Sequence, residues 1–253
     1  MTQSFSKLRD DSRDALAGNY MPYFIVLVIT GVLTGLLNQL LSFVAAPTGR
    51  AGFVLLIVID LLLDYVVMIL AKMFQAGQYF MSLNIARYNR VSVSDLFLPF
   101  RYDTAKAFKL CAILALVETV CLAPFTVCVS NLLYVGAFGI GTGTAVSVLA
   151  IFLLTFGGIV SLIGLELLIA FPLSQALFLY IDHQEYSARE CLSRSRSLMS
   201  GNVLGYFRLH LSLIGYFALC IVSLGLGLIW VLPYLNVIRA NYYMNLTGTY
   251  KPY

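Results

Sequence analysis

Charged side chains are scarce in this 253-residue chain: 16 Lys and Arg and 12 Asp and Glu make up 11% of it, where a soluble domain carries roughly 25%. A water-soluble globule is excluded. Histidine is nearly absent, and His183 and His210 stand far apart, so neither reads as part of a metal centre. Five cysteines follow no ligand spacing; Cys111, Cys121, Cys128 and Cys220 fall in apolar runs and Cys191 in a polar one, which is the behaviour of small hydrophobes. His-Glu-x-x-His, Gly-x-Ser-x-Gly and Walker-type glycine loops are missing, so no enzyme, metal or cofactor is expected. What remains is hydrophobicity: 60% of residues are apolar and the mean hydropathy is +0.88.

Six apolar stretches approach the roughly 20 residues that cross a hydrocarbon core. They are 21–43, 52–74, 107–130, 146–166, 204–222 and 226–243. The expected fold is all-α: a single polytopic membrane domain over 1–253, with amphipathic surface helices at 1–20 and 182–202. The run from Val146 stays apolar through Tyr180, too long for one crossing, and Pro172 sits in the excess. A helix that exits near Glu166, kinks at Pro172 and continues along or into the inner interface fits it. The loop from Asn131 to Thr144 holds four glycines and no charge, and reads as a flexible connector.

Basic residues set the expected orientation. With a cytoplasmic N-terminus, fifteen Lys and Arg flank inner helix ends and only Arg50 lies outside. Both termini, Gln75 to Lys106 and Asp182 to Arg208 are then cytoplasmic. A signal peptide cleaved after Val44-Ala45-Ala46 is the weaker reading, because the apolar run before it is long and Asp10, Asp11 and Asp14 dilute the positive start. The net charge of +4 is spread along loops that flank spans, which suits anionic inner-leaflet lipids and not nucleic acid.

One segment occurs twice. Ser12, Arg13, Gly18, Asn19, Tyr23 and Phe24 recur as the same residues 183 positions later, from Ser195 to Phe207. Each copy is a short charged helix, a Gly-Asn break and an apolar run, so each reads as a surface helix handing the chain to a span, with the break as a glycine-type helix stop. A second echo pairs Leu83-Asn84-Ile-Ala-Arg87 with Leu235-Asn236-Val-Ile-Arg239. Two related units that start on the same side form a parallel repeat.

Residues Gly77 to Phe100, with Leu-x-x-Ala-Arg and Ser-Asp-Leu-Phe, the helix from Ser195 to Asn202, and the end from Leu213 through Leu224-Gly-Leu-Gly-Leu-Ile-Trp230 and Pro233-Tyr234 to Tyr242-Tyr243 resemble the bacterial integral membrane proteins of the domain of unknown function 975 family. The resemblance covers nearly the whole chain. It departs at Phe171-Pro172-Leu173, where the family has Pro-Gly, and at Tyr20, where it has Trp. It implies a multi-spanning bacterial plasma-membrane protein and supplies no activity or site residue.

Four carboxylates fall inside spans, Asp60, Asp64, Glu118 and Glu166. Each costs about 2.5 to 3.5 kcal/mol if ionised at the bilayer centre, so Asp60, Asp64 and Glu118 are expected to face other helices. They form one candidate site, for a proton or a cation, with hydrogen-bonded packing as the plainer reading. A candidate lipid-headgroup site comprises Asn84, Arg87, Asn236, Arg239, Arg13 and Arg196, because guanidinium forks bind phosphate oxygens; snorkelling arginines are the plainer reading there. The functional expectation is a structural, lipid-interacting or complex-associated membrane protein. The alternative is a small-solute or proton- or cation-coupled transporter that uses its intramembrane carboxylates. A membrane-protein partner or a homo-oligomer is compatible with either.

Overall fold

The computed structural model describes residues 5–42, 49–138 and 145–250. Among them the chain is helical, without strands. The elements are α1 (Phe5–Leu16), α2 (Tyr20–Ser42), α3 (Gly49–Ala86), a 3₁₀ turn (Val93–Phe97), α4 (Leu98–Arg101), α5 (Thr104–Phe138), α6 (Ala145–Leu165), a π turn (Glu166–Ala170), α7 (Phe171–Leu173), α8 (Ala176–Asp182), α9 (Ala188–Met199), α10 (Val203–Ser212), α11 (Ile214–Val222) and α12 (Leu228–Thr247). Five stretches among the described residues, Tyr20–Gln39, Leu61–Ala86, Thr104–Val129, Thr155–Asp182 and Val203–Val222, are long and apolar enough to cross a membrane. The protein is therefore an all-α polytopic membrane protein.

The sixth expected span, 226–243, forms α12 but is not among those five. Asn236, Arg239 and Asn241 lower its hydropathy, and the second half of the helix is enclosed, with Leu235 to Ile238 and Ala240 to Met244 all buried. It packs on α1, α2 and α3. The outer faces of α2, α5, α6 and α11 expose Val32, Leu36, Leu116, Val120, Ile159 and Leu219, the apolar surface that lipid must cover.

The two Gly-Asn breaks are alike. α1 and α9 begin and end 183 positions apart; Gly18 and Gly201 both take left-handed backbone, at φ +86° and +80°. The Asn19 N–H then bonds the Leu16 carbonyl and the Asn202 N–H the Met199 carbonyl, each at 2.9 Å. The matched serines are fully buried. Ser12 donates to the Leu8 carbonyl and accepts from Asn241 of α12, whereas Ser195 donates to the Pro172 carbonyl and accepts from the Gln175 N–H. After the breaks the copies diverge, since α2 runs unbroken while α10 ends at Ser212 and α11 restarts at Ile214.

Three expectations need correction or restriction. Residues 171–182 are not a surface segment of the fold: the helix is interrupted where the Phe171 N–H bonds back five residues to the Glu166 carbonyl, beside a proline that has no N–H of its own, and α8 follows with Ala176 to Ile181 all buried. The expected loop from Asn131 is helix as far as Phe138, and 139–144 lie outside the described residues, as does Val44-Ala45-Ala46. The Asn84/Arg87 and Asn236/Arg239 pairs are not equivalent either. Arg87 follows the end of α3 and pairs with Asp182 at 2.6 Å, while Arg239 lies in the interior of α12.

Candidate functional site: a polar cavity among the spans

α3 carries a polar stripe at helical spacing, Lys72, Gln75 and Tyr79, on the face it turns toward α5 and α12. Lys72 is 8% exposed and forms an ion pair with Glu118 of α5. Its ammonium also donates to Gln75 Oε1 at 2.8 Å, and Gln75 Nε2 donates to the Tyr79 hydroxyl at 3.1 Å. From the far side Arg239 Nη1 donates to the same hydroxyl at 3.4 Å and to Asn236 Oδ1 at 3.4 Å. His210 Nδ1 faces the Tyr206 carbonyl at 2.9 Å, which requires a proton on Nδ1 and leaves Nε2 to accept from Arg239 Nη2 at 3.4 Å. A continuous hydrogen-bonded row thus joins Glu118 to His210 across three helices and more.

This row borders two cavities. The first, about 160 Å³, lies between α3, α5, the π turn, α10 and α12 and is also lined by Glu166, Ser174 and Tyr206. The second, about 440 Å³, lies between α2, α3 and α12 and is lined by Thr30, Gln78 and Asn236. Lys72, Gln75, Glu118 and Arg239 line both, so they form the partition. The depth follows from the apolar surface around it. Glu118 sits between Leu116, 51% exposed, and Val120, 52% exposed, about 21 Å along α5 from Thr104. Glu166 sits likewise between exposed Ile163 and Leu168. The charges lie at the level of the lipid-facing belt and inside it.

Arg239 is the anomaly. Among the described residues no carboxylate lies within 4 Å of it, its three hydrogen bonds go to neutral groups at the long end of the range, and its Nε is buried with no partner. A cation among apolar spans with only neutral, stretched partners is costly, and such residues in spans mark functional sites.

The expected sites are redistributed. Glu118 and Glu166 meet in the first cavity. Asp64 is exposed on α3, where the expectation had it facing other helices. The Asp60 side chain lies outside the described residues. Of the headgroup set, Asn236 and Arg239 join the cavities, Arg87 pairs with Asp182, Asn84 stays half-buried, and Arg13 and Arg196 are exposed on α1 and α9. No single headgroup site gathers them. Lys72, Gln75, Tyr79 and His210 were not among the sequence candidates. Among the described residues no three of His, Cys, Asp and Glu converge as a metal ion would require.

Fold and site together define a polytopic helical membrane protein with a charged cavity lined by its helices. The chain belongs to the family described as "Protein of unknown function (DUF975)", whose family model matches residues 1–250. Among curated proteins and among solved structures, no match was found.

Proposed function

We propose that the protein binds a small polar solute in the cavity between α3, α5, the π turn, α10 and α12, and passes it across the membrane. The observation that carries this reading is Arg239, a cation inside the spans, without a carboxylate partner among the described residues, that lines two cavities at once. A packing residue has no use for such a charge, whereas a binding residue needs donors that a solute can take up. The break in the helix at Glu166 to Pro172 puts a deformable joint in the wall of the same cavity.

The setting we propose is the bacterial plasma membrane, with both termini cytoplasmic, on the strength of the fifteen-to-one asymmetry of basic residues. Contact with anionic lipid is a second reading with its own support: the equivalent Arg13 and Arg196 are exposed on α1 and α9, whose opposite faces are buried. A partner protein or a second copy would meet the exposed flanks of the spans.

Thermal unfolding of the purified protein in detergent tests the solute reading. Carboxylates, amino acids, polyols, sugars and phosphate are titrated in turn; one class is expected to raise Tm saturably in the parent and not in Arg239→Met. If no class does so, the lipid reading stands in its place.

A further inference from the structure

We infer that the solute is a small zwitterion, a molecule of the α-amino acid class that carries a carboxylate and an ammonium group. This deepens the cavity reading and rests on it. The first cavity is lined by two basic groups, Lys72 and Arg239, and two acidic ones, Glu118 and Glu166. Lys72 and Glu118 neutralise each other as an ion pair. That leaves two charges of opposite sign on the wall. Arg239, from α12, has no carboxylate within 4 Å among the described residues, and Glu166, from the π turn, has no Lys or Arg within 4 Å among them. A simple anion would answer Arg239 and face Glu166; a simple cation would do the reverse. A ligand with both charges satisfies both groups and keeps the cavity electrically balanced, and in a low-dielectric surround an unbalanced charge is severely disfavoured.

Size and geometry agree. About 160 Å³ suits a molecule of a few heavy atoms, the size of a small α-amino acid. The planar guanidinium fork suits a carboxylate, to which it can offer two parallel N–H donors. Arg239 keeps a donor for this, since its terminal nitrogens make only three hydrogen bonds, two from Nη1 and one from Nη2. Glu166 begins a helical segment whose hydrogen bonds reach five residues back, so its backbone is set apart from the regular wall of α6, and its carboxylate can accept the ammonium.

The test compares three probes of matched size on the full-length protein in detergent: L-alanine, propionate, which lacks the ammonium, and ethylammonium, which lacks the carboxylate. Alanine is expected to raise Tm saturably, with propionate and ethylammonium binding at least about tenfold more weakly. A general solute-exclusion effect of alanine would persist in Arg239→Met, so loss of the shift in that variant is part of the expected result. In Glu166→Gln the preference for alanine over propionate should fall to within about threefold, because the ammonium has lost its partner. The ranking of the three probes on the parent needs no variant to fold. Propionate or phosphate binding as tightly as alanine, with dependence on Arg239, overturns the zwitterion and leaves the cavity reading intact. Binding only of phosphatidylethanolamine doped into the micelles, with alanine silent, overturns it in favour of a lipid headgroup. Silence of all three probes in an otherwise folded protein overturns the zwitterion, and the cavity reading falls with it when polyols, sugars and phosphate are silent as well.

Discussion

Arg239 of α12 reaches Tyr79 of α3 at 3.4 Å, and the Tyr79 ring lies flat on Phe178 of α8 with centroids 4.4 Å apart. Phe178 stacks in turn on Tyr243 at 5.3 Å, and the Tyr243 hydroxyl donates to Asp182, the partner of Arg87. The acceptor that faces the guanidinium is thus fixed by an aromatic stack that runs to the basic end of the molecule. Rigid support of this kind is what a binding group requires.

Lys72 and Glu118 should behave as a unit. Removing one partner leaves a charge among apolar neighbours, so Lys72→Met or Glu118→Leu alone should destabilise by about 3 to 5 kcal/mol. The double variant should recover most of that loss. Denaturant unfolding of the four proteins checks it; additive losses would mean that the pair is not coupled.

Gly77→Ala should be damaging out of proportion to one methyl group. A Cβ there would stand 2.1 Å from the Leu96 carbonyl oxygen and 2.8 Å from its carbon, backbone atoms of the 3₁₀ turn that cannot swing aside. A loss of about 1 to 3 kcal/mol is expected, against little change for Gly31→Ala, where nothing lies within 4 Å. Equal Tm values for the two variants would remove the close approach as the reason for the glycine.

Acid should loosen the start of α9. The Ser187 N–H bonds the Glu190 carboxylate at 2.7 Å, and this capping bond holds the carboxyl below its ordinary range. A group whose folded value is depressed adds stability that is present above the unfolded value and lost as pH falls through the folded one. Amide exchange at Ala188 to Cys191 should therefore quicken as pH drops below about 4 beyond the intrinsic trend. Glu190→Gln should show no such extra step.

The sequence made the outline of this fold plain because span-length apolar runs and Gly-Asn stops are local signals. Gly18 and Gly201 could be matched by their neighbours alone, and their left-handed backbones agree. The cavity was harder to see. Lys72 sits near the end of an apolar run and read as an interfacial lysine; its partner Glu118 is 46 positions away, and His210 met Arg239 only through the packing of α10 on α12. The spacing of Lys72, Gln75 and Tyr79, three and then four residues apart, was the one local sign of a polar face inside a span. Asp64 misled for the same reason: four residues from Asp60 it shares a face, but nothing in the sequence says which faces are covered.

The stability of Arg239→Met without added solute is the most direct test of the proposal that this arginine serves binding and not packing. Its bonds to Tyr79, Asn236 and His210 are long and neutral, so exchanging the guanidinium for an apolar side chain of similar length should leave Tm unchanged or raise it, while every solute-dependent shift disappears. A fall in Tm matching a loss of about 3 kcal/mol or more would show that Arg239 holds the helices together, and would contradict a binding role as the reason for its charge.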